Sequence, residues 1–131
     1  MMETLSLCLA RHGETDWNAE GRIQGQLDIP LNAQGHRQAA ALAAALAGQD
    51  FQALYSSDLM RARLTALPLA QAHRLPLQPL PEWRERHHGR MQGQTYEEMA
   101  HDWPEGHRHL RARDPGSVSY THLTLPTIYS V

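Results

Sequence analysis

Residues 51–69 read FQALYSSDLMRARLTALPL, and two hydrophobic periods meet inside them. Residues 51–57 make an apolar run of strand length that ends on two hydroxyls. From Asp58 onward Leu59, Ala62, Ala66 and Leu69 recur at helical spacing, so one face of a helix follows the strand directly. Pro68 lies within that helix and is expected to kink it or end it early. A strand that hands over to a helix without a hairpin turn predicts an α/β unit.

Working outward, the same alternation recurs. Upstream, residues 5–10 form another short apolar run, read as a first strand. Residues 13–31 are rich in Gly, Asn, Asp and Pro and read as a loop. Asn32 is placed to cap a helix whose Ala39, Leu42, Ala43 and Leu46 share a face, with Gly48 expected just past its end. Downstream, residues 75–81 (LPLQPLP) are extended, and their prolines suggest an edge strand. Thr95 with Glu98 makes a capping box for a helix through about Arg113 that Pro104 is expected to break. The expected fold class is α/β, a three-layer, mostly parallel sheet flanked by helices. In such sheets ligands sit beyond the carboxyl ends of the strands. Arg11-His12 and Ser56-Ser57 both fall at such ends.

Composition narrows the partners. The chain has 131 residues and a net charge of −2, enough for one domain and without a basic face for nucleic acid. All 12 basic residues are arginines, which bind planar oxyanions bidentately and stay charged. No stretch approaches the apolar length of a membrane span, so no membrane partner is expected. The segment MMETLSLCLA lacks the positive flank and cleavage pattern of a secretory signal. The one cysteine, Cys8, reads as a small buried hydrophobe, and a cytoplasmic location follows.

Three places offer chemistry. In LARHGETDWN (residues 9–18), Arg11-His12-Gly13 closes the first apolar run. A neutral imidazole can attack phosphorus, and neighbouring cations both keep it neutral and hold phosphoryl oxygens. Alone, the tripeptide reads equally well as a surface Arg-His pair in a loop. Arg61, near the start of the helix after the second strand, adds a guanidinium where helix N-termini already favour anions. Two strand ends that both supply arginine favour an anion site. The third is Glu85 in WRERHHGRMQG, a carboxylic acid that could protonate a leaving oxygen, although a lone Glu in a polar loop ordinarily faces solvent. Of His87 and His88, one could line a pocket, but surface is the ordinary reading. His101, His107 and His109 share no helical face and have no metal-ligand spacing. Trp17, Trp83 and Trp103 read as packing.

The order RHGETDWN, GQLDIPLNAQGHRQA, YSSDLMRA, ERHHGRMQG over residues 5 to about 114 resembles the histidine phosphatase superfamily, which includes the cofactor-dependent phosphoglycerate mutases. The resemblance implies a phosphoglycerate mutase-like fold and a phosphomonoester hydrolase. His12 would attack the phosphorus to give a phosphohistidine that water hydrolyses. Arg11 and Arg61 would hold the phosphate with Asn18 as a further donor, and Glu85 would serve as acid and then base. It implies no metal or other cofactor, and a small phosphorylated metabolite as partner. Phosphoglycerate mutase-type phosphoryl transfer and a non-catalytic phosphoester-binding remnant are the alternatives.

The sequence departs from that family pattern at its end. Members carry a second active-site histidine in a His-Gly pair, whereas His122 is followed by Leu123 and comes too soon after Glu85. Residues 115–131 contain no Asp, Glu, Lys or Arg, and VSYTHLTLPT resembles translated adapter read-through. The expected organisation is therefore residues 1–114 as the N-terminal part of a histidine phosphatase domain, incomplete at the C-terminus, and residues 115–131 as a non-native tail. Loss of one oxyanion donor costs about 10²–10³ in rate, so impaired activity is expected; missing sheet strands would expose apolar surface and unpaired edges, so marginal folding is expected as well.

Overall fold

Residues 54–57 and 77–80 build the sheet that the sequence periods call for. The structure is a computed structural model and describes residues 4–111. The tail from residue 115, with His122, and the expected helix end at Arg113 lie outside the described residues. Strand β1 (Leu54–Ser57) pairs in parallel with β2 (Leu77–Leu80), Leu54 opposite Leu77 and Ser57 opposite Leu80. A parallel pair needs a crossover, and here the crossover is a helix. The fold is α/β with a parallel sheet, as expected.

Short helix α1 (Asp16–Glu20) and helix α2 (Ala33–Ala45) precede β1. The Asn32 side chain accepts from the Gly35 N–H, the expected cap. The other end of α2 differs from expectation: the helix stops at Ala45, and Gly48 lies in a following turn. Crossover helix α3 (Met60–His73) lies against α2. Their buried residues are mostly small, Ala39 and Ala43 from α2 with Ala62, Leu69 and Ala70 from α3, which lets the backbones approach closely.

Two expectations about α3 are corrected. The helix runs through Pro68 to His73. A proline costs about 3 kcal/mol inside a helix, but Leu69 and Ala70 are buried just beyond it and hold the last turn in place. Nor does Asp58 open the helix. Leu59 occupies the cap position without a side-chain bond, and the Met60 N–H donates instead to Asp28 of the preceding loop at 2.7 Å. Asp58 is taken by Arg84, as described below.

The larger correction concerns residues 5–10. They form no strand among the described residues, and Leu5, Leu7 and Leu9 are 84%, 68% and 44% exposed. A strand needs a ladder partner, and none among the described residues pairs with this run. Cys8 is exposed with it rather than buried. Between this run and residues 50–55 lies an apolar cavity of about 540 Å³.

After β2, two single-turn 3₁₀ segments lead to α4 (Tyr96–Asp102) and α5 (Pro104–Arg111). The Thr95–Glu98 capping box is present in both directions, and Pro104 sits at the first position of α5. Met91 and Met99 are fully buried against Ile23 and Trp103, which ties the loop after α1 to the start of α4. Trp83 stacks on Tyr55, and Trp103 lies beneath the Arg90 guanidinium, both as packing. No helix among the described residues is long and apolar enough to cross a membrane.

Candidate active site

The segment that follows residue 10 turns sharply over the N-terminus of α2, and two glycines make that turn possible. A Cβ on Gly13 would meet the Gly35 carbonyl oxygen at 2.6 Å, and a Cβ on Gly35 would collide with the Glu14 backbone oxygen. With both side chains absent, the backbone of residues 13–14 lies directly on the first turn of α2. Asn32 fastens it there: its N–H donates to the Glu14 carbonyl and its amide to the Glu14 carboxylate, both at 3.0 Å. From the other side, the Gly13 N–H donates at 2.8 Å to Thr65 Oγ1, and that hydroxyl donates at 2.6 Å to the Arg61 carbonyl. Thr65 is buried and has one proton to give, so both of its bonds have fixed direction.

These contacts place His12. Its Nδ1 lies 2.6 Å from the Gly13 carbonyl oxygen. A carbonyl only accepts, so Nδ1 carries the proton and, in the neutral ring, Nε2 carries a lone pair. Burial lowers the His12 pKa from 6.5 to about 4; the bond to Gly13 works against that, and the charges of Arg61 and Arg11 add to it. At neutral pH the ring is therefore neutral with its Nε2 unprotonated.

Arg61 is almost fully buried, and burial lowers its pKa, offset in part by the carboxylates of Glu85 and Asp28. Its two terminal nitrogens donate to the carbonyls of Leu27 and Gly25 at 2.7 and 2.5 Å. A guanidinium has five N–H donors, so this anchoring fixes its plane and leaves donors for an anion. Asn18 is oriented in the same manner. Its Oδ1 accepts from the Thr15 N–H, and its own N–H donates to the Thr15 hydroxyl, the two bonds of the α1 capping box. A backbone N–H only donates, which assigns the oxygen and leaves the amide NH₂ as a donor.

Glu85 follows Arg84, whose guanidinium makes a two-pronged pair with Asp58, both bonds 2.6 Å. That pair joins the loop to the carboxyl end of β1 and holds the Asp58 carboxyl below its ordinary range. The backbone carbonyl of Glu85 also accepts from the Gln26 side chain.

Arg11, His12, Asn18, Arg61 and Glu85 all line one cleft of about 320 Å³. Sequence reasoning placed Arg11 and His12 at a strand end; Glu85, which by itself read as loop surface and entered the site only through the family resemblance, lines the cleft too, next to the anchored Arg84. His88 lines the cleft as well, contrary to the surface reading, and Arg22 and Tyr96 complete its rim. Thr65 and Gly35 were missed. Thr65 stands one turn after Arg61, a spacing that puts both on one helix face and could have found it. The Gly35 contact is with backbone distant in sequence and leaves no local signal. Among the described residues no three of His, Cys, Asp and Glu are grouped so as to hold a metal ion.

Comparison with known proteins gives the family. Residues 7–123 match the family described as the histidine phosphatase superfamily (branch 1), a match that runs over the first part of the tail. The chain is 45% identical over 107 residues to the metal-independent phosphoserine phosphatase of Arabidopsis thaliana, covering 80% of this chain and 45% of that protein. It is 39% identical over 116 residues to phosphoserine phosphatase 1 of Hydrogenobacter thermophilus, covering 88% and 54%. Among solved structures, a mycobacterial glucosyl-3-phosphoglycerate phosphatase bound to VO3 superimposes with a TM-score of 0.72 at 38% identity, covering 79% of this chain and 47% of that one. The chain thus spans about half the length of the curated relatives it matches.

Proposed function

The chain belongs to the histidine phosphatase superfamily, and on that footing we propose that the cleft around His12 takes a small phosphomonoester and hydrolyses it through a phosphohistidine. The observation that carries this reading is the His12–Gly13 hydrogen bond, which leaves Nε2 as a lone-pair nucleophile. In the first step Nε2 bonds to phosphorus as the ester P–O bond breaks. Arg11, Arg61 and the Asn18 amide hold the phosphoryl oxygens as charge builds on them. Glu85 gives a proton to the departing alcohol. In the second step the Glu85 carboxylate takes a proton from water, whose oxygen attacks phosphorus and returns His12 to its neutral form. The similar mycobacterial phosphatase solved with VO3, an oxyanion, supports the phosphoryl-site reading.

The partner is a small phosphorylated metabolite, and a single cysteine supports a reducing, cytoplasmic setting.

The acid–base role of Glu85 separates esters by leaving group. In Glu85→Gln, hydrolysis of an alkyl phosphate should fall by about 10²–10⁴. Formation of the phosphoenzyme from nitrophenyl phosphate, whose phenolate leaves unaided, should fall far less, so the variant should accumulate phosphoenzyme. Equal loss on both substrates would remove Glu85 from the mechanism. Binding of phosphate by His12→Ala, with no turnover by the unaltered chain, would favour a phosphoester-binding remnant.

A further inference from the structure

The junction between β1 and α3 serves two parts of the cleft at once. Strand β1 ends at Ser57, α3 begins at Met60, and Asp58 lies in the short link between them. Arg61 follows in the first turn of α3. The Asp58 carboxylate receives both prongs of Arg84, each at 2.6 Å, and Arg84 immediately precedes Glu85. The Arg84 backbone is held too, its N–H donating to the Pro81 carbonyl at 3.1 Å. On the other side, the Glu85 carbonyl accepts from the Gln26 amide at 3.2 Å. Residues 25–28 are themselves pinned to the junction, for Arg61 donates to the Gly25 and Leu27 carbonyls and Asp28 accepts from the Met60 N–H. The backbone on both sides of Glu85 is therefore tied to the residues that open α3. The phosphate arginine and the acid share one foundation.

The exposure of the Asp58–Arg84 pair bears on what it can contribute. The Arg84 and Asp58 side chains are 35% and 29% exposed, and an ion pair this open to water adds little to folding stability. What a two-pronged pair does supply is a fixed distance and a fixed plane. The Glu85 carboxylate accepts from the adjacent Arg86 N–H at 3.3 Å, a contact within its own loop that does not set its place over the phosphate. A proton donor displaced by about 1 Å can lose about a hundredfold in rate, so an anchor next to the acid has a large effect to control.

We propose that Asp58, acting through Arg84, is a positioning residue that sets where Glu85 meets the leaving oxygen of a phosphate held by Arg61. The inference rests on the phosphomonoester reading of the cleft and on the acid role of Glu85. Neither Asp58 nor Arg84 lines the cleft, so neither touches the substrate.

The test compares the full chain with its Asp58→Asn and Arg84→Met variants on three ligands. Ethyl phosphate needs the acid, nitrophenyl phosphate does not, and methylphosphonate binds as a phosphate group but cannot be hydrolysed. Both variants should hydrolyse ethyl phosphate about ten- to hundredfold more slowly. Phosphoenzyme formation from nitrophenyl phosphate and the affinity for methylphosphonate should stay as they are. The two substitutions change the local charge in opposite directions, so an effect of the field at Glu85 would push them apart. Loss of the clasp gives the same result in both. Within Glu85→Gln, Asp58→Asn should slow ethyl phosphate no further, because no proton is left to place. The proposal is overturned if either variant keeps the unaltered rate on ethyl phosphate, if methylphosphonate affinity or phosphoenzyme formation falls with that rate, if the two variants move in opposite directions, or if the losses multiply in the double variant. Equal loss on both esters in Glu85→Gln alone would instead overturn the acid role of Glu85. Failure of the unaltered chain to bind methylphosphonate would overturn the phosphomonoester reading, and each of these would take the inference with it.

Discussion

Burial and two neighbouring guanidiniums all act against a second proton on His12, while the Gly13 carbonyl fixes the first proton on Nδ1. With the pKa lowered from 6.5 to about 4, the nucleophilic form dominates at neutral pH and is lost only as the pH falls through about 4. Capture of a phosphoryl group by His12 should therefore hold its rate from pH 7 down to about 5; a midpoint near 6.5 would show an imidazole open to solvent. Thr65 is the other decisive side chain at this level. Thr65→Val removes the acceptor for the buried Gly13 N–H and should destabilise the chain by about 1–3 kcal/mol. Methylphosphonate affinity should drop as well, because the turn carrying His12 loosens. Thr65→Ser, which keeps the hydroxyl, should restore both in a paired denaturation and titration series.

Elements differed in how much of them the sequence revealed, for a physical reason. Helices satisfy their own backbone, so their signals are local. Asn32, the Thr95–Glu98 box and the breaking Pro104 were each readable in a few residues and each stands where expected. A strand depends on a partner that local sequence does not specify. Residues 5–10 have strand composition, yet no neighbour among the described residues pairs with them. Contacts between backbones distant in sequence were the least readable of all. Gly35 is a helix residue of poor propensity, but it is the seat on which residues 13–14 rest. Gly35→Ala should improve helix propensity by about 1 kcal/mol in isolation and still destabilise the protein, since the added Cβ meets backbone that cannot swing aside. Thermal denaturation of that variant decides the sign.

Across the whole molecule, His12 and His88 make the folded state acid-sensitive. Each takes up a proton near pH 6.5 when unfolded but only near 4 when folded. Their contribution is complete above about 6.5 and is lost as the pH falls toward 4, on the order of 3 kcal/mol for each before solvent screening reduces it. The lowered carboxyl of Asp58, paired with Arg84, adds a further loss at still lower pH. The apolar cavity beside residues 5–10 should bind a fluorescent apolar dye, and serines at Leu5 and Leu7 should reduce that signal without changing methylphosphonate binding.

The account stands most directly on where a phosphoryl group comes to rest. The chain would be incubated with phosphoramidate, a small donor that needs no help from Glu85, and its peptides sequenced by mass spectrometry under alkaline conditions. One acid-labile phosphoryl group on His12, absent from His12→Ala, is the predicted result. A chain that binds methylphosphonate yet takes no phosphoryl group, or takes it at another residue, would contradict the assignment of His12 as the nucleophile.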